Sequence, residues 1–89
     1  MESISLIREF EKEPLCELVE IIRFENGRRY IYKLSRDREH FIHVVTSRGV
    51  TYVELWHPNF AVPLLVFKVA GWGELSRVLI LLRSLVKVL

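Results

Sequence analysis

The sequence predicts an α+β domain: a short N-terminal helix, an antiparallel β-sheet of about five strands built from two hairpins, and a C-terminal amphipathic helix. Three observations carry this. The stretch FIHVVTSRGVTYVELW, residues 41–56, is two runs of β-branched and aromatic residues broken once, at Arg48-Gly49. A second pair of such runs, Glu17 to Ser35, surrounds Asn26-Gly27, the favoured pair for a type I′ turn. From Glu74 to Leu89 the leucines and valines recur at helical spacing.

Eighty-nine residues make one domain, near the size at which a single chain struggles to bury enough surface. The chain is 51% hydrophobic, high for so short a chain, so part of its apolar surface is expected between subunits. Lys68, Glu74, Arg77, Arg83 and Lys87 interrupt the apolar C-terminal third, which argues against a membrane span. Glu2, Arg8 and Glu9 stand where a signal peptide needs an apolar run. Cys16 has no second cysteine for a disulfide or a cysteine-based metal site, and a cytoplasmic location follows as the expectation. Gln is absent, Asn occurs only at 26 and 59, and Arg outnumbers Lys, a usage that leans towards a thermophilic source.

The net charge of +2 hides an asymmetry. Residues 1–22 hold two basic and six acidic residues, whereas residues 23–48 hold seven basic and three acidic. Positive charge thus gathers around the two hairpin turns, which suits an anionic partner as well as it suits a solvated turn region.

In chain order, residues 1–14 read as the N-terminal helix. Ile4, Ile7 and Phe10 with Leu6 form one apolar side, and Pro14 ends it. Its glutamates make it a cover for the sheet rather than a nucleic-acid contact. The sheet spans 17–70. With Asn26-Gly27 as the turn, Glu25 opposes Arg28, Ile22 opposes Ile31 and Glu20 opposes Lys33, so two pairs join opposite charges. Arg36-Asp37-Arg38-Glu39 is a polar link. In the second hairpin Ser47 faces Val50, Thr46 faces Thr51, and pairing runs on to Phe41 opposite Trp56. Period-two alternation then puts Ile42, Val44, Thr46, Thr51, Val53 and Leu55 on one face, which belongs against a core. Phe41, His43, Val45, Tyr52, Glu54 and Trp56 share the other. Three aromatics beside a His–Glu pair suit neither plain core nor plain surface, and we read this face as a working one.

If Ile22 and Ile31 join the aliphatic core, then Arg23, Arg28, Tyr30 and Tyr32 share the aromatic face. The inverse assignment stays open. After the turn at His57-Pro58-Asn59, a fifth strand is expected beyond Pro63, where a missing N–H costs least. Gly71-Trp72-Gly73 stops that strand and permits a reversal. Trp72 either plugs the end of the core or stacks on a ligand. In the helix 74–89, Glu74 suits the positive end of the dipole. Leu75, Leu79, Leu82, Val86 and Leu89 make a heptad-like seam, and Val78, Leu81, Leu85 and Val88 a further stripe. One helix cannot hide both stripes on its own sheet, so self-association through this helix, as a homodimer or homotetramer, is expected with the seam as its contact.

The chain carries no Gly-rich phosphate loop, nucleophile elbow or zinc-finger spacing, and no cofactor or metal is expected. His40 and His43, three apart on a strand, point to opposite faces and cannot chelate together. His43 and Glu54 resemble a general acid–base pair, and beside Arg23 and Arg28 they would suit a small ribonuclease or toxin-like nuclease. A plain cross-strand contact that satisfies both groups is the favoured reading, and we expect no enzyme. What remains is aromatic residues interleaved with basic ones on a sheet, a pattern suited to single strands because unpaired bases offer ring faces to stack. A protein-interaction module is the other alternative.

The segments YIYK, FIHVV and TYVELW, followed by the leucine-rich LSRVLILLRSLVKVL, give an overall plan that resembles the archaeal ThermoDBP-related single-stranded-DNA-binding proteins. The likeness covers most of the chain as a plan, without a short diagnostic motif. It implies C-terminal helices that mediate oligomerisation and sheets that line clefts for single-stranded DNA without sequence preference; the residues themselves suit single-stranded DNA or RNA alike. By residue type and face, the expected contacts are Arg23, Arg28, Arg29, Tyr30, Tyr32, Phe41, Arg48, Tyr52 and Trp56.

Overall fold

The structure, a computed structural model, describes residues 16–34 and 39–88. The N-terminal helix expected over 1–14, most of the link at 35–38, the side chains of Trp72 and Val86, and Leu89 lie outside the described residues. Five strands, β1 (Cys16–Phe24), β2 (Gly27–Leu34), β3 (Phe41–Ser47), β4 (Val50–Trp56) and β5 (Leu65–Val69), precede one helix, α1 (Trp72–Val88). The strands form a single antiparallel sheet in the order β1-β2-β3-β4-β5, so each pairs with its neighbours in sequence. No described helix is long and apolar enough to cross a membrane.

The β3–β4 hairpin has the expected register at every pair from Ser47–Val50 to Phe41–Trp56. Its turn sets Arg48 at φ 51° and Gly49 at φ 79°, the left-handed values that a two-residue hairpin loop requires. Gly49 meets that demand without strain, whereas Arg48 carries a Cβ there.

The β1–β2 hairpin differs from expectation. Its loop is Glu25-Asn26, because Phe24 pairs with Gly27, Arg23 with Arg28 and Ile22 with Arg29. Neither Asn26 nor Gly27 has a positive φ. Glycine is needed at 27 for a different reason: a Cβ there would overlap the Thr46 carbonyl oxygen and sit 2.9 Å from Ser47 Cα. The close approach of β3 outranks the turn propensity of Asn-Gly. The register moves by one residue on each strand, so the expected Glu25–Arg28 and Glu20–Lys33 pairs do not form. Lys33 instead opposes Glu17, beyond an irregularity at Val19 between the Leu18 and Glu20 pairs.

The larger correction concerns the faces. Tyr30 pairs with Val44 and Tyr32 with Ile42, so the tyrosines lie on the aliphatic face. That face packs against α1. Tyr30, Tyr32, Ile42, Val44, Val53, Leu55 and Val69 form one buried cluster with Leu75, Leu79 and Leu82. The choice has a physical reason. Turning the Ile22–Ile31 face inward would bring Glu20, Arg29 and Lys33 towards the helix, and buried charges without partners are costly. On the tyrosine face the charges, Arg23 and Arg28, sit at the hairpin end and are exposed.

Leu75, Leu79 and Leu82, expected as an oligomer contact, are therefore spent inside the domain, at no more than 2% exposure. A sheet face this apolar takes the deepest stripe of its own helix first, because the intramolecular contact needs no second chain. Helix α1 also starts earlier than Glu74. The Gly71 carbonyl accepts the first helical bond from Leu75 N–H at 3.0 Å, and Glu74 Oε2 accepts the Ala70 N–H at 2.8 Å. Gly71-Trp72-Gly73 is thus the start of the helix and not a separate reversal. Strand β5 begins after Pro63 as expected, tied to β4 by Leu64 N–H to Leu55 O at 2.7 Å.

Candidate nucleic-acid interface

Alternation and register together decide what shares the sheet face opposite α1. Across it run three rows of directly paired residues: Lys33, Phe41 and Trp56; then Ile31, His43, Glu54 and Val66; then Arg29, Val45, Tyr52 and Lys68. Ile22 pairs with Arg29 and extends the third row into β1. No described element lies across this face. Phe41, His43, Tyr52 and Trp56 are half-buried by one another and their neighbours, while Ile22, Phe24 and Val66 are exposed.

Four side chains from three strands form its centre. Arg29 Nη1 donates to Glu54 Oε1 at 2.5 Å and also reaches His43 Nδ1 at 3.0 Å. Trp56 Nε1–H donates to the same Glu54 oxygen at 2.8 Å, which two residues' spacing along one strand face permits. The Trp56 and His43 rings stack with centroids 5.0 Å apart and planes 20° off parallel. The Arg29 guanidinium carbon lies 6.0 Å from the Trp56 ring centroid, at the outer limit of a cation–π contact. Its own bond to the Glu54 oxygen, which Arg29 also holds, and the His43 ring stacked against it keep the indole in one orientation.

The protonation state follows from the donors. Arginine has no acceptor to offer, so Nδ1 of His43 must accept, and the ring proton sits on Nε2. Burial pushes His43 down to about 4, with the Arg29 charge adding to the effect and Glu54 opposing it. His43 is therefore neutral at pH 7. His43 and Glu54 are cross-strand partners, but Arg29 stands between them and takes the contact each was expected to make with the other.

A second cluster closes the open end of the β3–β4 hairpin on the helix side. His40 and His57 meet edge to face at 5.0 Å, and Phe60 meets His57 in the same way at 5.7 Å. His57 Nδ1 accepts the Asn59 N–H at 3.1 Å, leaving Nε2 to face Glu39 Oε2 at 3.7 Å. His40 is buried on the face opposite to His43, as their spacing requires. Among the described residues no group of three or more His, Cys, Asp or Glu side chains is placed to hold a metal.

Of the expected contact residues, Arg29, Phe41, Tyr52 and Trp56 share the open face, and exposed Arg48 stands in the turn at its edge. Tyr30 and Tyr32 are core, and Arg23 and Arg28 lie on the helix side. Lys33, Lys68, Ile22, Phe24 and Val66 belong to the open face and were missed. The alternation pattern already grouped Lys33 with Arg29. Only the pairing of β2 with β3 shows that this group accompanies Trp56. No family model, curated protein or solved structure matches the chain.

Proposed function

We propose that the open sheet face binds single-stranded nucleic acid, DNA in the first instance, without sequence preference and without chemistry of its own. The observation that carries this is a sheet face uncovered by any described element, on which Phe41, Tyr52 and Trp56 stand between Lys33 and Lys68. Bases stack on the rings, and lysines at the rim, with Arg48 at the turn, meet phosphates. An α-helix for the major groove is not offered on this face, which favours single strands over duplexes. His43 Nδ1 accepts from Arg29, and Glu54 Oε1 accepts from both Arg29 and Trp56, contacts that favour a positioning role over a general-base one for this pair. Self-association belongs to the same proposal. Its contact is the outward side of α1, where Ile80 is 60% and Leu81 44% exposed.

Titration with oligothymidylate, followed by tryptophan fluorescence at several salt concentrations, tests the reading. Quenching that weakens as salt rises supports it. Trp56→Ala is expected to lower affinity by roughly 5- to 150-fold, from about 1–3 kcal/mol per stacked base, while the far-UV spectrum stays native. Unchanged affinity in Trp56→Ala removes the indole from the interface, and no binding at low salt ends the reading.

One observation favours a second reading. Ile22, Phe24 and Val66 are exposed on the same face, and apolar side chains beside aromatics also suit a protein surface. A protein partner would be displaced by Trp56→Ala, and oligonucleotides would then fail to bind even at low salt.

A further inference from the structure

We propose that Glu54 decides how this face holds a strand: it cancels the charge of Arg29, so that the centre of the face is a neutral stacking platform and the lysines at its rim carry the phosphate contacts. The inference rests on the single-strand reading and goes beyond it by dividing the work among named residues.

Arg29 is the only cation at the centre of the described face, and its Nη1 is committed to Glu54 at 2.5 Å and to His43 at 3.0 Å. The pair is sheltered, with side-chain exposures of 28% and 13%. A guanidinium already matched to a carboxylate releases no counterion when a phosphate comes near. His43 adds no charge, because its Nδ1 accepts from Arg29. Lys33, one residue along β2 from Tyr32, and Lys68, opposite Tyr52, have no hydrogen-bond or ion partner among the described residues. They flank the platform on opposite strands, β2 and β5. Glu54 also accepts from the Trp56 indole, so the carboxylate that neutralises Arg29 is the one that aims the stacking ring. Glu54 is thus a positioning residue with an electrostatic role, not a contact.

The test separates the charge from the acceptor. Glu54→Gln keeps an amide oxygen for Trp56 and removes the charge that masks Arg29. Binding of fluorescein-labelled oligothymidylate is measured by anisotropy against salt for wild type, Glu54→Gln and the double variant Arg29→Met/Glu54→Gln. Glu54→Gln is expected to bind more tightly at low salt, with a slope of log affinity on log salt steeper by about 0.7, the value for one more phosphate contact on a single strand. Between 50 and 200 mM salt it should lose about 2.6-fold more affinity than wild type does. The double variant is expected to return to the wild-type slope.

An unchanged slope in folded Glu54→Gln overturns the masking while leaving the single-strand reading in place. Should Glu54→Gln lose its native far-UV spectrum, the double variant decides alone. A slope shallower than wild type by about 0.7 would mean that Arg29 already touches phosphate. Failure of the wild type to bind at low salt overturns the single-strand reading and this inference together, an outcome distinct from either slope result.

Discussion

Gly27→Ala should destabilise the protein, although it places the more strand-compatible residue in a strand. A Cβ at 27 overlaps the Thr46 carbonyl oxygen and lies 2.9 Å from both Ser47 Cα and Thr46 C. All three are backbone atoms, so no rotamer change relieves the overlap. The end of β2 must move from β3, where the Gly27–Ser47 and Arg28–Thr46 pairs and the 3.2 Å bond from Arg48 N–H to Asn26 O hold the two turns together. Losing two net hydrogen bonds at about 0.5–1.5 kcal/mol each costs about 1–3 kcal/mol. The stiffer unfolded chain returns about 0.4–1 kcal/mol. The net loss is on the order of 1–2 kcal/mol. In urea unfolding this appears as a midpoint lower by roughly 1 M at unchanged slope. Gly73→Ala is the matched control: it lies in the first turn of α1, a Cβ there meets nothing within 4 Å, and it should raise stability by up to about 1 kcal/mol. If Gly27→Ala proves as stable as wild type, the close approach of β3 is not what demands glycine.

Tyr32→Ala empties a fully buried site and should cost about 3–5 kcal/mol; Tyr30→Ala, at 7% exposure, should cost nearly as much. Thermal unfolding reads both. A native melting curve with weakened oligonucleotide binding would return these tyrosines to the surface. His43 couples stability to pH. Its folded value of about 4 lies below the ordinary 6.5, so between these values the unfolded chain binds more protons than the folded one. Stability contributed by His43 is therefore complete above about pH 6.5 and is lost as pH falls towards 4. The groups facing it are Arg29, Glu54 and the Trp56 ring. His43→Gln should flatten the rise in melting temperature over this range, and parallel wild-type and variant curves would remove His43 as its source.

Much of the architecture was legible in local pattern. Alternation within 41–56 defined both faces of the β3–β4 hairpin, and Arg48-Gly49 defined its register, because a two-residue loop leaves a single way to pair the flanking strands. Pro63 marked the start of β5, and Glu74 the dipole end of α1. The β1–β2 turn was misplaced because Asn-Gly is a local preference. The contact that overrides it, Gly27 against Thr46, joins residues that only the sheet brings together.

The same distinction governs the site. Except at the irregularity around Val19, where Leu18 takes the place beside Tyr32, sequence by itself determined which residues of each hairpin share a face, since alternation follows from the pleat of a single strand. Only the tertiary structure decided which face of one hairpin continues which face of the other, since that depends on the β2–β3 register across a polar link. It turned Tyr30 and Tyr32 into core and brought Arg29 to Glu54, His43 and Trp56. It likewise committed Leu75, Leu79 and Leu82 to their own sheet. A heptad-like seam specifies an apolar stripe but not the chain that covers it. Burial depends on what lies within reach, and here the nearest apolar surface is the domain's own.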